Sequence, residues 1–439
     1  MAAKTLEEVY DYFQNKPISL DDFDKFYVDA DKGRGRLTYT RLRRRLENDP
    51  DGSLKILFAG HKGCGKTTEL VRLQKYIEKD FIVLNFSVVK ELDILNINYI
   101  ELFIVTMEKL FSFVKDEERI EIDEKYIENI SKWMTSKEIT SINQNYMGLD
   151  IETGLKGGYT IPFISEFFAK FKAAAKSSST MKTALVQQVE PKLSDLILNC
   201  NLLINEIKSK LSDINKKGLV IIMEDLDKVD LSKGEDIFYI HSTQLTQLNC
   251  HCIYTFPIAL LYHIKFKTVK NNYDEDYVLP MIKVCKKEAG EFIEGIEVMK
   301  DIVKQRMDLS LFEDIDILRD MIKYSGGCLW DLFQMIKDAS DNALDFERNK
   351  INRTDFDSAY KALKLDYEYT IAENVEKEIT VDRYYEALKR CALDEKKKPE
   401  STDIMLDLRN NLTVLSYNDI NWSDVHPVVK DILKEKELI

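Results

Sequence analysis

The sequence predicts an α/β protein with a parallel sheet at its core and helices on both faces of that sheet. Two observations carry the prediction. Segments with helical periodicity separate four short apolar runs, which are SLKILFAG (53–60), FIVLNFSVV (81–89), GLVIIME (218–224) and CHCIYTFP (250–257). This alternation is typical of parallel sheets. In addition, the first run leads into a glycine-rich loop and then an amphipathic helix, KTTELVRLQKYIEKD.

The chain divides into four segments, and its 439 residues fit roughly two to three domains. We assign 1–50 to a helical lead-in with an arginine-rich helix, 51–284 to the sheet-containing core, 285–370 to a helical lid and 371–439 to a C-terminal domain. The last segment runs helix, helix, strand, turn, strand, which is the outline of a winged helix.

Within the core, residues 115–216 are mostly helical and less apolar than their surroundings. We therefore expect an inserted helical module between the second and third strands. Such a module could bind a partner or could add packing to the sheet, and the sequence favours neither. Its stretch GLDIETGLKGGYTIPF predicts a loop or a small hairpin, because glycines and a proline interrupt the helical pattern.

Composition sets limits on partners and location. The net charge of −13 argues against a protein coated in nucleic acid. No apolar run approaches the roughly eighteen residues that span a bilayer, and the acidic N-terminus MAAKTLEEVYDYF is unlike a signal peptide. We therefore expect a cytoplasmic protein with no membrane contact. The seven scattered cysteines indicate reduced thiols, and for Cys250-His251-Cys252 a turn into a buried strand is favoured over a metal site.

The loop after the first strand carries the strongest motif. GHKGCGKT, Gly60 to Thr67, fits G-x-x-x-x-G-K-[ST] in full. Glycines allow a turn whose N–H groups point at phosphate oxygens, and the following helix adds its positive N-terminus. In this pattern Lys66 reaches the β- and γ-phosphates and Thr67 binds magnesium. We expect ATP and Mg²⁺ as ligands, contacted by Gly60, His61, Lys62, Gly63, Cys64, Gly65, Lys66, Thr67 and Thr68. The strand before and the helix after disfavour a glycine turn without a ligand.

Acidic residues follow the third strand. A carboxylate at the end of a buried strand is costly without a partner, and magnesium is the natural one. Glu224 is in the usual metal-linked position and Asp225 in the position that polarises water. Because the common order begins with Asp, we assign both residues jointly to metal binding and catalysis. Thr255, near the end of the fourth strand, could touch the γ-phosphate or the attacking water, or could be an ordinary strand threonine.

The order of these motifs resembles a known family. The fragments FYVD…RG, LFAGHKGCGKTTEL, EDLDK, YTFPIAL, SGG…DL and W-x-D-V-H-P resemble a group of poorly characterised bacterial ATPases. That group belongs to the AAA+/STAND branch of P-loop NTPases, and the layout is similar to that of archaeal origin-recognition initiators. The resemblance implies that Arg36 contacts the nucleotide and that Tyr27 and Val28 flank the adenine.

Two departures from the family pattern concern arginines. The family lid carries an arginine in G-G-x-x-R-D-L, where this chain has GGCLWDL and therefore Trp330. No arginine lies between Arg119 and Arg306, where an arginine finger is usual. Such a finger is worth about three to five orders of magnitude in rate. We expect slow hydrolysis or retained ATP, unless Arg306 or an arginine of the stretch 34–45 substitutes.

The leading hypothesis is an ATP-binding, slowly hydrolysing AAA+/STAND-type switch. The resemblance implies a separate effector protein, a homo-oligomer or hetero-complex, and a role in bacterial anti-phage or stress defence. The alternatives are an ATP-dependent DNA-binding protein of the initiator or loader kind, and a nucleotide-binding subunit without turnover. Nucleic acid would be bound by the arginine-rich helix, through Arg41, Arg43, Arg44 and Arg45.

Overall fold

The core is a five-stranded, all-parallel sheet in the order β2-β3-β4-β1-β5, as seen in a computed structural model. The structure describes residues 2–35, 37–117, 123–147, 161–177, 179–288, 290–417 and 422–439. The strands are β1 (Lys55–Gly60), β2 (Phe81–Ser87), β3 (Gly218–Glu224), β4 (His251–Pro257) and β5 (Glu275–Val278). The predicted α/β fold with a parallel sheet is confirmed. The strand β5 was not predicted, and its residues EDYV are only half-buried at the sheet edge.

The strand register brings the functional ends of the strands to one edge. Ser87 of β2 lies opposite Glu224 of β3, and Gly60 of β1 lies opposite Pro257 of β4. All five strands run in the same direction, so their carboxyl ends meet at the same side of the sheet. The glycine loop after β1 and the acids after β3 are therefore neighbours, although more than 150 residues separate them along the chain.

Helices cover both faces of the sheet, and helical segments separate the strands, as the alternation of apolar runs and helical periodicity predicts. The α-helices from the start of the chain to residue 116 are Leu6–Tyr12, Phe23–Phe26, Asp31–Arg34, Thr38–Glu47, Lys66–Ile77, Val88–Glu91 and Tyr99–Asp116. Those around β3 and β4 are Leu231–Glu235, Ser242–Leu245, Ile258–Leu261 and Phe266–Val269. The apolar helix Tyr99–Asp116 begins with a capping box formed by Asn98 and Glu101, and it is buried along most of its length.

The region 115–216 is helical throughout its described parts. Its α-helices are Glu124–Met134, Lys137–Ile142, Ile161–Ser177, Ser179–Val189 and Leu193–Ser209. The last three pack against the helix Tyr99–Asp116, and all five share one hydrophobic cluster with one face of the sheet. Extra packing on the sheet is thus one role that this region fills. Most of the predicted loop or hairpin, residues 148–160, lies outside the described residues.

The helices between residues 293 and 370, called the lid below, share one hydrophobic cluster with the N-terminus of the chain and with the C-terminal region. The α-helices of the lid are Ile293–Lys304, Ile315–Tyr324, Leu329–Asp345 and Arg353–Thr370. Ala3 pairs with Met307 in a parallel bridge, and Leu6, Val9 and Phe13 lie in the lid's hydrophobic core. The lead-in therefore does not form a unit of its own, because its first part belongs to the lid and its arginine-rich helix packs on the sheet.

The C-terminal region combines three helices with a two-stranded antiparallel sheet. The helices are Val381–Leu393, Asp403–Asn410 and Pro427–Glu435, and the strands are β6 (Val414–Tyr417) and β7 (Trp422–Val425). This arrangement is compatible with the expected winged helix. Among the described residues, no helix combines the length and apolar character that a membrane crossing requires.

Replacing Phe13 tests whether the N-terminal segment (residues 2–35) packs as part of the lid. Its ring is fully buried and meets Phe333 edge to face at 5.2 Å between centroids. We expect Phe13→Ala to lower the free energy of unfolding by about 3–5 kcal/mol, measured by urea denaturation. Tyr10→Ala, at a side chain that is 60% exposed, is the matched control. Equal midpoints for the two variants would contradict the assignment.

Candidate functional site

The loop Gly60–Thr67, called the P-loop below, forms a tight turn between β1 and the helix that begins at Lys66. Gly63 and Gly65 have positive φ angles of 73° and 93°, a conformation that favours glycine. A Cβ on Gly63 would lie 2.8 Å from the sulfur of Cys328 in the lid. Glycine at this position therefore lets the P-loop and the lid approach each other.

A cleft of about 600 Å³ opens over the P-loop, within the roughly 300–1,000 Å³ typical of ligand pockets. Its walls come from the P-loop and its helix, the ends of β2 and β3, the lid and the N-terminal segment. The expected site residues that line it are Tyr27, Val28, Lys62, Gly63, Gly65, Lys66, Thr67, Thr68, Glu224, Asp225 and Trp330. Of the described residues, none from 371–439 lines this cleft.

Lys66 is buried at the base of the cleft and its ammonium has three partners. It donates to the carbonyls of Gly60 at 2.8 Å and His61 at 2.9 Å. It also forms an ion pair with Asp227 at 2.9 Å between Nζ and Oδ2. Despite burial, the charges of Asp227 and other neighbours raise the pKa of Lys66. Asp227 was not predicted as a site residue, although it lies three residues after Glu224 in the same acidic run.

Glu224 is buried beside Thr67. Burial raises the pKa of its carboxyl to about 7, while hydrogen bonds with Thr67 and Asn85 act in the opposite direction. Its Oε2 is buried and lacks a hydrogen-bond partner among the described residues. An orphaned buried carboxylate oxygen next to a threonine hydroxyl is suited to a cation. The structure thus brings together two of the three residues that were expected to bind metal.

Asp225 faces a different set of partners. Its backbone is left-handed, with φ of 70°, which asparagine and aspartate tolerate better than most residues. One carboxylate oxygen accepts a hydrogen bond from Ser87, and the other forms an ion pair with Lys228 at 2.7 Å. Asp225 lines the same cleft as Thr67 and Glu224.

Thr255 lies inside the sheet in this structure. It is buried, and its hydroxyl donates to the carbonyl of Met223 at 3.4 Å. It is absent from the described lining of the cleft. The arrangement agrees with an ordinary strand threonine, and a contact with phosphate stays a prediction.

The N-terminal segment forms the opposite wall. Tyr27 stacks on Phe23 with 4.4 Å between ring centroids, and the guanidinium of Arg72 lies 5.2 Å from the Tyr27 ring. Val28 packs against the lid cluster. Both residues line the cleft. This position is compatible with their predicted contact with the adenine, which stays a prediction.

Arg34 braces the P-loop from this segment. Its buried guanidinium donates to the carbonyls of Cys64, at 2.8 Å, and Pro280. Arg36, the arginine expected to contact the nucleotide, lies outside the described residues. The nucleotide contact that the resemblance implies for Arg36 stays a prediction.

The lid meets the P-loop at the start of the helix Leu329–Asp345. The N–H of Leu329 donates to the carbonyl of Gly63 at 3.1 Å. Trp330 lines the cleft beside Gly63, and the ammonium of Lys228 lies 5.8 Å from its ring. Trp330 therefore lies at the cleft, and its contact with a nucleotide stays a prediction.

The C-terminal region contacts the other side of the P-loop. His61 is fully enclosed, and its Nε2 accepts a hydrogen bond from the N–H of Ser416 in β6 at 2.8 Å. Nearby, the buried guanidinium of Arg409 lies 4.1 Å from the ring of Tyr262. Burial is the main cause that lowers the pKa of His61 to about 3. His61 is thus a neutral acceptor that joins the loop to the C-terminal hairpin.

The stretch Cys250-His251-Cys252 is buried where β4 begins. The two sulfurs are buried and 3.9 Å apart, and Nδ1 of His251 accepts from the N–H of Leu54 at 3.2 Å. The described residues contain no group of three or more His, Cys, Asp or Glu arranged for a metal ion. The buried sulfurs and the histidine hydrogen bond are consistent with a turn into a buried strand, the interpretation that the sequence favours.

The arginine-rich helix Thr38–Glu47 lies along the edge strand β5. Arg43 pairs with Glu47 at 3.3 Å, and Arg45 pairs with Glu275 at 3.0 Å. Arg41 and Arg44 are exposed and line a groove of about 440 Å³ beside β5. Within the described parts of the chain, neither of these two has an ion-pair partner. Only half of the predicted nucleic-acid-binding set is therefore free of acidic partners.

Comparisons with known proteins give distant similarities only. The sequence matches no protein-family profile, and no curated protein matches it. Among solved structures it is similar to the Aeropyrum pernix ORC2 protein in its ADP form, with 11% identity, 98% of each chain covered and a TM-score of 0.41. For the A. pernix ORC1 protein in complex with DNA the values are 10%, 99% of this chain, 97% of that chain and 0.38. For the Thermotoga maritima RuvB Holliday junction branch migration motor they are 10%, 96%, 98% and 0.35. Similarities at this level carry no argument, and the fold rests on the strand order and register described above.

Acid should weaken the protein through His61. Because its pKa is held at about 3, the folded state rejects the proton that the unfolded chain binds below its ordinary value of 6.5. The stability that this neutral histidine contributes is complete above 6.5 and is lost as pH falls toward 3, at up to about 1.4 kcal/mol per pH unit.

The measurement is urea unfolding across this pH range for the wild type and for His61→Asn, which does not titrate. We expect the wild type to lose stability more steeply than the variant as the pH falls. Other carboxylates and histidines are common to both proteins, so the difference between the two profiles isolates His61. Parallel profiles would show that His61 is not the responsible group.

Proposed function

We propose that the protein is an ATP-binding, slowly hydrolysing switch of the AAA+/STAND type. One observation carries the proposal. Glu224, at the end of β3, meets Lys66 and Thr67 of the P-loop in one cleft, although it lies far from them along the chain. A phosphate chain needs the loop N–H groups and a lysine, and its magnesium needs a hydroxyl and a carboxylate. The site offers all of these within one enclosure.

Thr67 and Glu224 would hold the Mg²⁺ ion, with Asp225 next to them. Magnesium is usually bound by one or two carboxylates together with substrate phosphates, so few protein ligands are needed. The ion would neutralise charge on the phosphates. Asp225, fixed by Ser87 and Lys228, is our candidate for the carboxylate that orients water.

Slow hydrolysis is proposed because the arginines at the cleft are already engaged. Of the described residues, only Arg34 and Arg306 are arginines in its lining. Arg34 donates to protein carbonyls at the P-loop. Arg306 donates to the carbonyls of Ile302 at 2.9 Å and Phe26 at 3.3 Å. Lysines line the cleft, but they lack the planar fork of arginine. On the resemblance alone, we extend the proposal to a separate effector protein, to assembly into oligomers, and to bacterial defence.

Fluorescence of Trp330 offers a direct test of nucleotide binding. Of the three tryptophans, only Trp330 lines the cleft, while Trp133 and Trp422 are buried elsewhere. We expect ATP with Mg²⁺ to change the emission of the wild type and not that of Trp330→Phe. Lys66→Ala should bind ATP at least about tenfold more weakly, because a charge-assisted contact is lost.

Phosphate release separates a switch from a motor. We expect turnover on the order of 10⁻³ per second or slower, the range of a GTPase that lacks its arginine finger. Several turnovers per second, lost in Lys66→Ala or Asp225→Asn, would contradict the switch. Retained ATP with no release over hours would favour the subunit without turnover. Failure of the wild type to bind ATP would contradict the proposal as a whole.

DNA binding is a second candidate function, favoured by Arg41 and Arg44. Both side chains are exposed and have no ion-pair partner in the described structure, which suits phosphate contacts, although Glu275 and Asp276 line the same groove. Against it, the protein is acidic as a whole, with a net charge of −13. Two free cations predict weak binding that depends strongly on salt.

Charge reversal tests this candidate. Arg41→Glu and Arg44→Glu should each weaken binding to duplex DNA and reduce the slope of log affinity against log salt by about 0.9. Lys361→Glu makes the same charge change on an exposed face of the lid and is the matched control. Absence of DNA binding at low salt, or an equal effect of all three variants, would reject the groove as a DNA site.

A further inference from the structure

The ion pair between Lys66 and Asp227 occupies the group that a nucleotide would need. The side chains are 7% and 5% exposed, and 2.9 Å separates Nζ from Oδ2. Lys66 also donates to two P-loop carbonyls. An ammonium has three N–H donors, so the side chain has no donor left for a phosphate. Phosphate binding therefore requires that Lys66 give up at least one of these partners.

Asp227 is the partner whose loss matters most. The two carbonyls belong to the P-loop itself and are neutral, whereas Asp227 carries a charge in a buried position. Separating a buried ion pair leaves an uncompensated charge, which is strongly unfavourable. Once Lys66 turned to a phosphate, the Asp227 carboxylate would also lie close to the negative phosphate chain. Both effects oppose nucleotide binding.

The neighbouring charges do not replace Lys66 as the partner of Asp227. Lys228 is committed to Asp225 at 2.7 Å. Lys62 is influenced by the charge of Asp227, but no ion pair between them is present in the described structure. Asp225 is tied to Ser87 and Lys228 and does not compete for Lys66. Asp227 is therefore the one carboxylate that pairs with Lys66 in the described structure.

We propose that Asp227 sets the nucleotide affinity of the cleft by competing with phosphate for Lys66. The inference rests on the proposed function, because it assigns a role to a residue of the same nucleotide site. Its consequence is specific: removing the charge of Asp227 strengthens nucleotide binding, although the residue lines the binding cleft. For an ordinary binding residue the same change would weaken it.

The experiment measures binding of ATP and of ADP to Asp227→Asn by calorimetry, with Mg²⁺ and with EDTA in its place. We expect the affinity to rise by about tenfold or more in both conditions. Asp230→Asn is the matched control. It removes the same charge three residues away, and asparagine still caps the helix Leu231–Glu235, where Asp230 accepts from Ser232 at 2.8 Å. The control should stay within about twofold of the wild type.

The outcomes separate the two proposals. If the wild type binds ATP and Asp227→Asn binds equally or more weakly, the role of Asp227 is overturned and the proposed function stands. A loss confined to the Mg²⁺ condition would identify Asp227 as a metal ligand, which also overturns it. If neither protein binds ATP, both proposals fail.

A second variant guards against misfolding. Asp227→Ser keeps an acceptor for Lys66 without the charge and should show the same gain in affinity, with folding checked by thermal denaturation. Asp227→Glu restores the charge and should return the affinity toward the wild-type value. If neither neutral variant folds, Asp227 is a structural partner of Lys66 and the inference is overturned.

Discussion

The position of the P-loop at the junction of three parts of the molecule is the constraint on which the rest depends. The lid reaches it through Leu329, the N-terminal segment through Arg34, and the C-terminal hairpin through Ser416. Each contact is a hydrogen bond to a different residue of the loop, namely Gly63, Cys64 and His61. The conformation of eight residues is thus fixed jointly by segments that are distant in sequence.

These contacts also engage the carbonyls of the loop. The carbonyls of Gly60 and His61 accept from Lys66, that of Gly63 accepts from Leu329, and that of Cys64 accepts from Arg34. Within the loop, the N–H of Cys64 donates to the carbonyl of His61 at 3.2 Å. The loop is thus held by donors from its own lysine, from the lid and from the N-terminal segment.

Local patterns in the sequence were sufficient for part of this. The P-loop, β3 with its acids and the helix Lys66–Ile77 carry strong apolar or glycine signals and were predicted with their types correct. β5 was missed because EDYV lacks an apolar run and gains its strand form only by pairing with β1. The pairing of Asp227 with Lys66, and of the N-terminus with the lid, depends on tertiary contacts between distant residues. Periodicity cannot report such contacts.

The same contacts explain how occupancy of the cleft could be read elsewhere in the molecule. The chain from Ala3 to Phe13 is anchored in the lid core, whereas Arg34 is anchored at the P-loop. The segment between them, including Tyr27 and Val28, lines the cleft. The lid and the P-loop are therefore joined twice, directly at Gly63 and through this segment at Cys64. His61 joins the same loop to β6, so the loop is shared by the lid, the N-terminal segment and the C-terminal hairpin.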